Sequence, residues 1–296
     1  MDPKITRLSD SLLLEILNAV GLPKTERLRS IIQPLFRKAT EHMAMIGVTF
    51  DRLVEKLDFP SAADWALTNW CKGIIARGID GIPRSGPLLV VSNHPGTYDA
   101  LVITSRLGRR DIRIFASDIP FLMNLPAAYH YFFFVSRNAQ NRMLGARAAI
   151  RHLQQDGAVL IYGSGHLDPD PAVSSEAIDH LEQWYPSLNL FLRTVPQTRV
   201  LLSIVSHTLS QKWAHHPITW LRRKGMEKRR IAEFGQVLQQ LFVPGSLYLS
   251  PRLTFAPPMT VYDLPTDQNP LPALIEKAKW LLSEHIQWTK SLSNPT

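Results

Sequence analysis

The sequence predicts an α/β fold: a mixed, mainly parallel sheet flanked by helices, preceded by a helical N-terminal subdomain. Three observations carry this expectation. Six apolar runs of strand length alternate with segments of helical spacing after residue 65. Those runs are apolar at consecutive positions, as in strands covered on both faces. The first 60 or so residues, by contrast, hold apolar positions at three- and four-residue spacing and no strand-like run.

The elements follow in order. "SLLLEILNAV" reads as a helix capped by Ser9 or Asp10 and ended by Gly21. A second helical region, "TERLRSIIQPLFRKATEHMAMIGVTFDRLVEKL", contains Pro34, which predicts a kink or a split there. "DFPSAADW" reads as a linker, placing the domain boundary at 64/65: residues 1–64 helical, residues 65–296 α/β. "WALTNWCKGII" reads as a short helix and "GIDGIPRSGP" as a turn-rich loop. The expected strands are "PLLVVSN", "IRIFAS", "YFFFVSR", "AVLIYGS", "RVLLSIVS" and "YLSPRLTFAPPM". The expected helices between and after them are "YDALVITSRLG", "NRMLGARAAIRHLQQDG", "EKRRIAEFGQVLQQLFV" and the amphipathic "PALIEKAKWLLSEHIQWTK".

Bulk properties bound the function. The 296 residues can bury a sizeable core, and 45% hydrophobic with 20% charged is a globular balance. A net charge of +8 favours acidic partners: nucleic acid, an anionic membrane surface or phosphorylated substrates. A single cysteine, Cys71, rules out an intrachain disulfide and a CxxC metal site, in keeping with a reducing compartment. The first residues do not read as a signal peptide, since Glu15 and Asn18 break the apolar run. No stretch approaches 18 uninterrupted apolar residues, so no membrane-spanning helix is expected. The expected location is cytoplasmic with peripheral membrane association.

One stretch carries chemistry. "VSNHPGTYDA" places Asn93, His94, Pro95-Gly96 and Asp99 directly after a buried strand, where open α/β sheets bind ligands. On a continuous helix, five residues at about 100° each would hold His94 and Asp99 roughly 140° apart. A strand–turn–helix folds the chain back and lets them meet, with Thr97 as a candidate N-cap and Asp99 in the first turn. A carboxylate on one ring nitrogen fixes the tautomer, leaving the other nitrogen to take a proton from a hydroxyl. This is the orienting half of a Ser-His-Asp triad, with the substrate as nucleophile. Alone, an H-x4-D spacing is common by chance; its place after a buried strand, beside Asn93 and Pro-Gly, is what distinguishes it.

"NHPGTYD" resembles the H-x4-D motif of the glycerolipid acyltransferases, the lysophosphatidic acid and glycerol-3-phosphate acyltransferase superfamily. The resemblance spans roughly residues 74–260. It implies a fold of that superfamily, His94 as base, Asp99 as its partner, and an acyl thioester (acyl-CoA or acyl carrier protein) as donor. It implies an arginine at the end of "FFFVSRN" on the acceptor's phosphate, so Arg137 is the candidate, with Arg142 and Arg147 as lesser ones. The family's third block, F-P-E-G-T-R, corresponds to "YGSGHL": Gly165 is kept, Ser164 replaces the glutamate and Leu167 the arginine. This departure leaves the acceptor open. The fourth block aligns loosely with "VLLSIVS" and lacks its proline.

The expected reaction is therefore transfer of a fatty acyl group to a hydroxyl or amine of a lipid-like, possibly phosphate-bearing acceptor, as in phospholipid biosynthesis. Asn93, Gly96, Thr97, Arg137, Ser164, Gly165 and His166 are the expected substrate-binding residues. Backbone N–H groups near Gly96 or Gly165 are candidates for the oxyanion. "YHYFFFV" is the candidate lining of an acyl tunnel.

Ser164 as a hydrolase nucleophile requires G-x-S-x-G, which fails at Tyr162 and His166. A nucleophilic Cys71 fits poorly, because it lies in a segment of helical spacing. His166, Asp168 and Asp170 alternate like metal ligands, but Pro169 and Pro171 make the stretch an extended loop, and adjacent His215 and His216 chelate poorly together. No metal or cofactor is expected. The basic run "WLRRKGMEKRR" reads either as a solvated face or as a membrane-surface patch, with Trp213 and Trp220 at headgroup level. No nucleic-acid motif accompanies it. A non-catalytic lipid-binding protein of the same fold is the alternative of a different class; the His94–Asp99 pair argues against it.

Overall fold

The computed structural model describes residues 2–20, 26–135, 139–265 and 269–293. The N-terminal helical region comprises α1 (Pro3–Val20), α2 (Glu26–Lys56) and α3 (Phe59–Leu67). Then follow β1 (Ile75–Arg77), β2 (Leu88–Ser92), α4 (Asp99–Leu107), β3 (Ile112–Ser117), α5 (Pro120–Met123) and β4 (Phe132–Val135). The second half holds α6 (Ala139–Gln154), β5 (Ala158–Tyr162), α7 (Ala177–His180), α8 (Leu188–Thr194) and β6 (Arg199–Ser206). It ends with α9 (Gln211–Ala214), α10 (Gly225–Phe242), β7 (Arg252–Phe255) and α11 (Leu271–Ser293).

The seven strands form one sheet in the order β1-β7-β6-β2-β5-β3-β4. Every pairing is parallel except β6 with β7. The predicted mixed, mainly parallel sheet is thus observed. β2 lies at its centre, and all five of its residues are buried. Leu88 and Val90 enter the core beneath α2, α3 and α4, whereas Leu89 and Val91 enter the core beneath α6, α8 and α11. This is the period-2 alternation of a strand with helices on both faces. Each such side chain contributes about 1.5–3 kcal/mol on burial. Leu8 of α1 and Ala39 of α2 belong to the same core as Leu88, so the N-terminal helices and the sheet share apolar packing.

Several local expectations are corrected. α1 starts at Pro3, eight residues before the expected Ser11, because Asp2 accepts the Lys4 N–H (2.9 Å) and caps it, while Ser9 donates to Thr40 of α2 (2.8 Å). Gly21 lies outside the described residues. α2 is not split at Pro34: one helix runs from Glu26 to Lys56 with the proline inside. The supposed linker is α3. Asp58 accepts the Ser61 N–H (2.7 Å) and Pro60 sits in the first turn, an N-cap and proline start signal that the reading passed over. The boundary placed at 64/65 falls inside this helix. The helix ends at Leu67 rather than running on to Ile75, and Cys71 and the missed β1 pair with Leu249 and β7 instead. Cys71 is buried, and burial pushes its thiol up to about 12, which leaves it unreactive.

Candidate active site

β2 delivers the chain to the carboxyl edge of the sheet between β5 and β6. Its register sets Ser92 beside Tyr162 on one side and Ser203 on the other. The loops after these three strands therefore meet at one place. Asn93 joins two of them: its Nδ2 donates to the Val205 carbonyl (2.9 Å) and its Oδ1 accepts the Val205 N–H (2.8 Å). Asp168, in the loop after β5, holds the next residue. It accepts the His94 N–H on Oδ2 (2.7 Å), and its own N–H donates to the His94 carbonyl (2.7 Å). The main chain of His94 is thus held at both ends before its side chain does anything.

Pro95-Gly96 then reverses the chain, and Asp99 becomes the first residue of α4. His94 Nδ1 lies 2.7 Å from Asp99 Oδ2. The same oxygen accepts the Gly96 N–H (3.2 Å), and Asp99 Oδ1 accepts the Tyr162 hydroxyl (2.6 Å). Three donors converge on a carboxylate that is 1% exposed. The Tyr162 ring stacks on the imidazole, with centroids 4.1 Å apart and planes 16° from parallel. Nε2 of His94 has no hydrogen-bond partner among the described residues, and the side chain is 30% exposed. An imidazole protonated on Nδ1 and open at Nε2 is a positioned base.

The electrostatics come from burial and from crowded acids. Burial alone lowers the His94 pKa. The charge and hydrogen bond of Asp99, joined by the charges of Glu233 and Asp168, override it and raise His94 to about 9. Burial, then the Asp99 charge, pushes Tyr162 well above its ordinary value, so it stays a donor. Burial, with repulsion from Asp99, lifts the Glu233 carboxyl to about 7, against the lowering effect of Thr97 and His94.

Other expected site residues are placed differently from their assigned roles. Thr97 does not cap α4: its hydroxyl donates to Glu233 Oε1 (2.6 Å). Asn93 is 2% exposed, and its amide is taken up by Val205, so it fixes strand ends and does not face substrate. The Gly96 N–H is held by Asp99 and the Gly165 N–H by the Tyr162 carbonyl (3.1 Å), so neither is free for an oxyanion. Ser164 is 1% exposed; its hydroxyl donates to the His166 carbonyl (3.0 Å) and accepts the His166 N–H (3.2 Å), closing its own turn. A hydroxyl so buried and engaged is poorly placed as a nucleophile. His166 is exposed and its Nε2 meets the Tyr185 hydroxyl (2.8 Å). Arg137 lies outside the described residues; Arg142 and Arg147 are exposed on α6.

The metal-like pattern is also structural. Asp170 accepts the N–H groups of Ala172, His207, Thr208 and Leu209 and the Thr208 hydroxyl, tying the β5 and β6 loops together. His216 accepts the Ile218 N–H and His215 meets the Gln211 carbonyl. No group of three or more His, Cys, Asp or Glu side chains is arranged to hold a metal among the described residues. A cavity of about 510 Å³ touches His130 and Tyr131 of the aromatic stretch, but it opens against α1 and α2 and shares no residue with the His94 site. Trp213 is not at the surface edge: its indole N–H donates to Gln239 (2.8 Å) and it packs on Gly235 of α10. Tyr162, Asp168 and Glu233 are the residues that sequence reasoning did not assign to the pair.

The acyltransferase family model matches residues 73–184. No curated protein matches the sequence significantly. Among solved structures, the chain is similar to the 1-acyl-sn-glycerophosphate (LPA) acyltransferase PlsC from Thermotoga maritima, at 13% identity and a TM-score of 0.48, over 97% of this chain and 99% of that one. The matched segment contains His94, Asp99, Tyr162 and Asp168. The acyltransferase family model thus matches the segment that carries "NHPGTYD" and "YGSGHL", the stretches on which the resemblance to that family was read.

Proposed function

We propose that the chain uses this domain as an O-acyltransferase of the glycerolipid type, moving a fatty acyl group from acyl-CoA or acyl carrier protein to a hydroxyl or amine of a lipid-like acceptor. The observation that carries the reading is the 2.7 Å contact between His94 Nδ1 and Asp99 Oδ2, which leaves Nε2 open. Nε2 takes the proton of the acceptor hydroxyl as its oxygen attacks the thioester carbonyl. The tetrahedral intermediate collapses, the C–S bond breaks, and the proton on His94 passes to the departing thiolate. Asp99 keeps the imidazole in the required tautomer and stabilises the cation formed in between. Tyr162 and the Gly96 N–H hold Asp99, and Asp168 holds the His94 main chain.

A peripheral site on an anionic membrane surface fits the same reading. Trp220 and Leu221 are each 76% exposed, directly before Arg222, Arg223 and Lys224. No helix among the described residues is long and apolar enough to cross a membrane.

The test is product mass spectrometry after incubation with a labelled acyl thioester and a lipid extract. His94→Ala should abolish acylated product while its circular dichroism and unfolding midpoint stay close to the parent's. Unaltered turnover in that variant overturns the mechanism.

A further inference from the structure

Glu233 lies on α10, outside the segment that matches the acyltransferase family. It is nevertheless part of the rim of the His94–Asp99 turn. Its Oε1 accepts the Thr97 hydroxyl at 2.6 Å. A Cβ on residue 96 would stand 3.1 Å from that oxygen and 2.9 Å from Thr208 Oγ1, so glycine at 96 is what permits the approach. The charge of Glu233 is felt at His94, where it helps to raise the imidazole.

The helix that carries it is fixed in place. One turn on, Gln236 accepts the Ser210 N–H (2.7 Å) and donates to the Thr208 carbonyl (2.8 Å). Gln240 accepts the Tyr98 hydroxyl (2.8 Å) next to Asp99. Glu233 is therefore held against the turn, not swung over it on a loose loop.

Its own hydrogen bonding is incomplete. Thr97 supplies its hydroxyl to Oε1 and turns its backbone N–H to the same carboxylate, and no other residue among those described donates to it. No cation stands within ion-pair distance of it there. Arg229, one turn earlier, is directed to Glu176 (4.0 Å) and His180 (3.4 Å). A partly buried carboxylate with no ion pair at contact distance, crowded by Asp99, gains from any donor that reaches it. An anionic group brought to the same place would meet like charge.

Resting on the acyl-transfer reading above, we propose that Glu233 binds the acceptor, accepting a hydrogen bond from a second hydroxyl adjacent to the one that His94 deprotonates. The acceptor would then be a polyol lipid presenting two neighbouring hydroxyls, and α10 would set the enzyme's choice among acceptors.

Two probes that differ by one hydroxyl test this: 1-oleoylglycerol and 1-oleoyl-propane-1,2-diol, which lacks the terminal hydroxyl. Both are offered to the full chain with palmitoyl-CoA. Binding is followed in parallel by saturation-transfer NMR. The wild type should favour 1-oleoylglycerol by about tenfold to a hundredfold in kcat/KM, the range of one hydrogen bond to a charged group. Glu233→Ala should bring the ratio of the two kcat/KM values towards one, chiefly by raising KM for 1-oleoylglycerol, whatever its common effect on both acceptors through His94, and Glu233→Gln should restore part of the ratio. If Glu233 merely braces the turn, Glu233→Ala and Thr97→Val will slow both acceptors alike and preserve their ratio, which overturns the proposal. Equal treatment of the two probes by the wild type, including neither binding nor turnover, overturns it as well. A binding preference that vanishes in Glu233→Ala, without any acyl transfer to either probe, would instead sink the acyl-transfer reading and leave the binding role standing.

Discussion

Asp99→Asn perturbs the site with the least change in shape. Asp99 receives three donors: His94 Nδ1–H and Gly96 N–H on one oxygen, Tyr162 O–H on the other. Asparagine has one acceptor oxygen. If it faces Tyr162, its NH₂ meets His94 Nδ1 and forces the proton to Nε2, the nitrogen needed as base. If it faces His94, the NH₂ meets the Tyr162 hydroxyl. The wild-type His94 stands at about 9 against an ordinary 6.5. At about 1.4 kcal/mol per unit that is about 3 kcal/mol favouring the cation, trimmed by solvent at the exposed ring edge. Asp99 is the largest of the raising influences, and burial opposes it. Its loss should lower the His94 pKa by at least about one unit. The wild-type kcat/KM should climb with pH towards an inflection near 9, because only about 1% of His94 is neutral at pH 7. Asp99→Asn should shift that inflection down and lower the plateau on the order of 10²- to 10⁴-fold, the usual worth of a positioned base. Titration of ¹⁵N-labelled histidine follows the pKa directly. The same raised pKa stabilises the fold below pH 6.5, and that contribution is lost as pH rises through about 9. A wild-type inflection near 6.5 that Asp99→Asn leaves in place would refute the reasoning.

Stability should fall in acid for a different reason. His285 is fully buried, and its nitrogens meet the hydroxyls of Ser206 (2.7 Å) and Thr254 (2.7 Å); burial, with Arg77, His207 and Arg252 nearby, holds it down at about 3. The unfolded chain therefore binds a proton below pH 6.5 that the native state refuses, which removes about 2 kcal/mol by pH 5. Urea midpoints at pH 7 and 5 measure this, and His285→Gln should flatten the difference. Ser164→Ala should cost about 1 kcal/mol of stability, from the bonds to His166, while most turnover is retained; loss of turnover at unchanged stability would revive the serine nucleophile. Replacing Trp220 and Leu221 by alanine should weaken binding to anionic vesicles in a sedimentation assay, and high salt should weaken wild-type binding too. Vesicle binding indifferent to both changes would argue against that surface.

Much of this architecture was legible without coordinates. β2 could be read as a buried strand because "LLVVS" is apolar on both faces, and a residue facing either layer must be. The His94–Asp99 pair was legible because its partners are five residues apart and one Pro-Gly turn decides whether they meet. α3 was misread because "DFPSAADW" was weighed for its proline and small residues as a linker, whereas Asp58 and Pro60 together mark a helix start. The cap role given to Thr97 and the oxyanion roles given to the Gly96 and Gly165 N–H groups are not met for another reason. A motif states which residue occupies a turn but not which backbone group that turn consumes.

By itself, the sequence determined the layer architecture, the buried strand β2 and the meeting of His94 with Asp99, since these rest on short-range periodicity and one local turn. The tertiary structure alone decided what surrounds the pair. Tyr162, Asp168 and Glu233 stand 63, 74 and 136 residues from the groups they touch. They are brought there by the strand order β6-β2-β5 and by the seating of α10, neither of which has a local signature. Strand neighbours are chosen by burial of the whole sheet, so the groups that touch and tune His94 and its turn emerge only when the sheet is assembled.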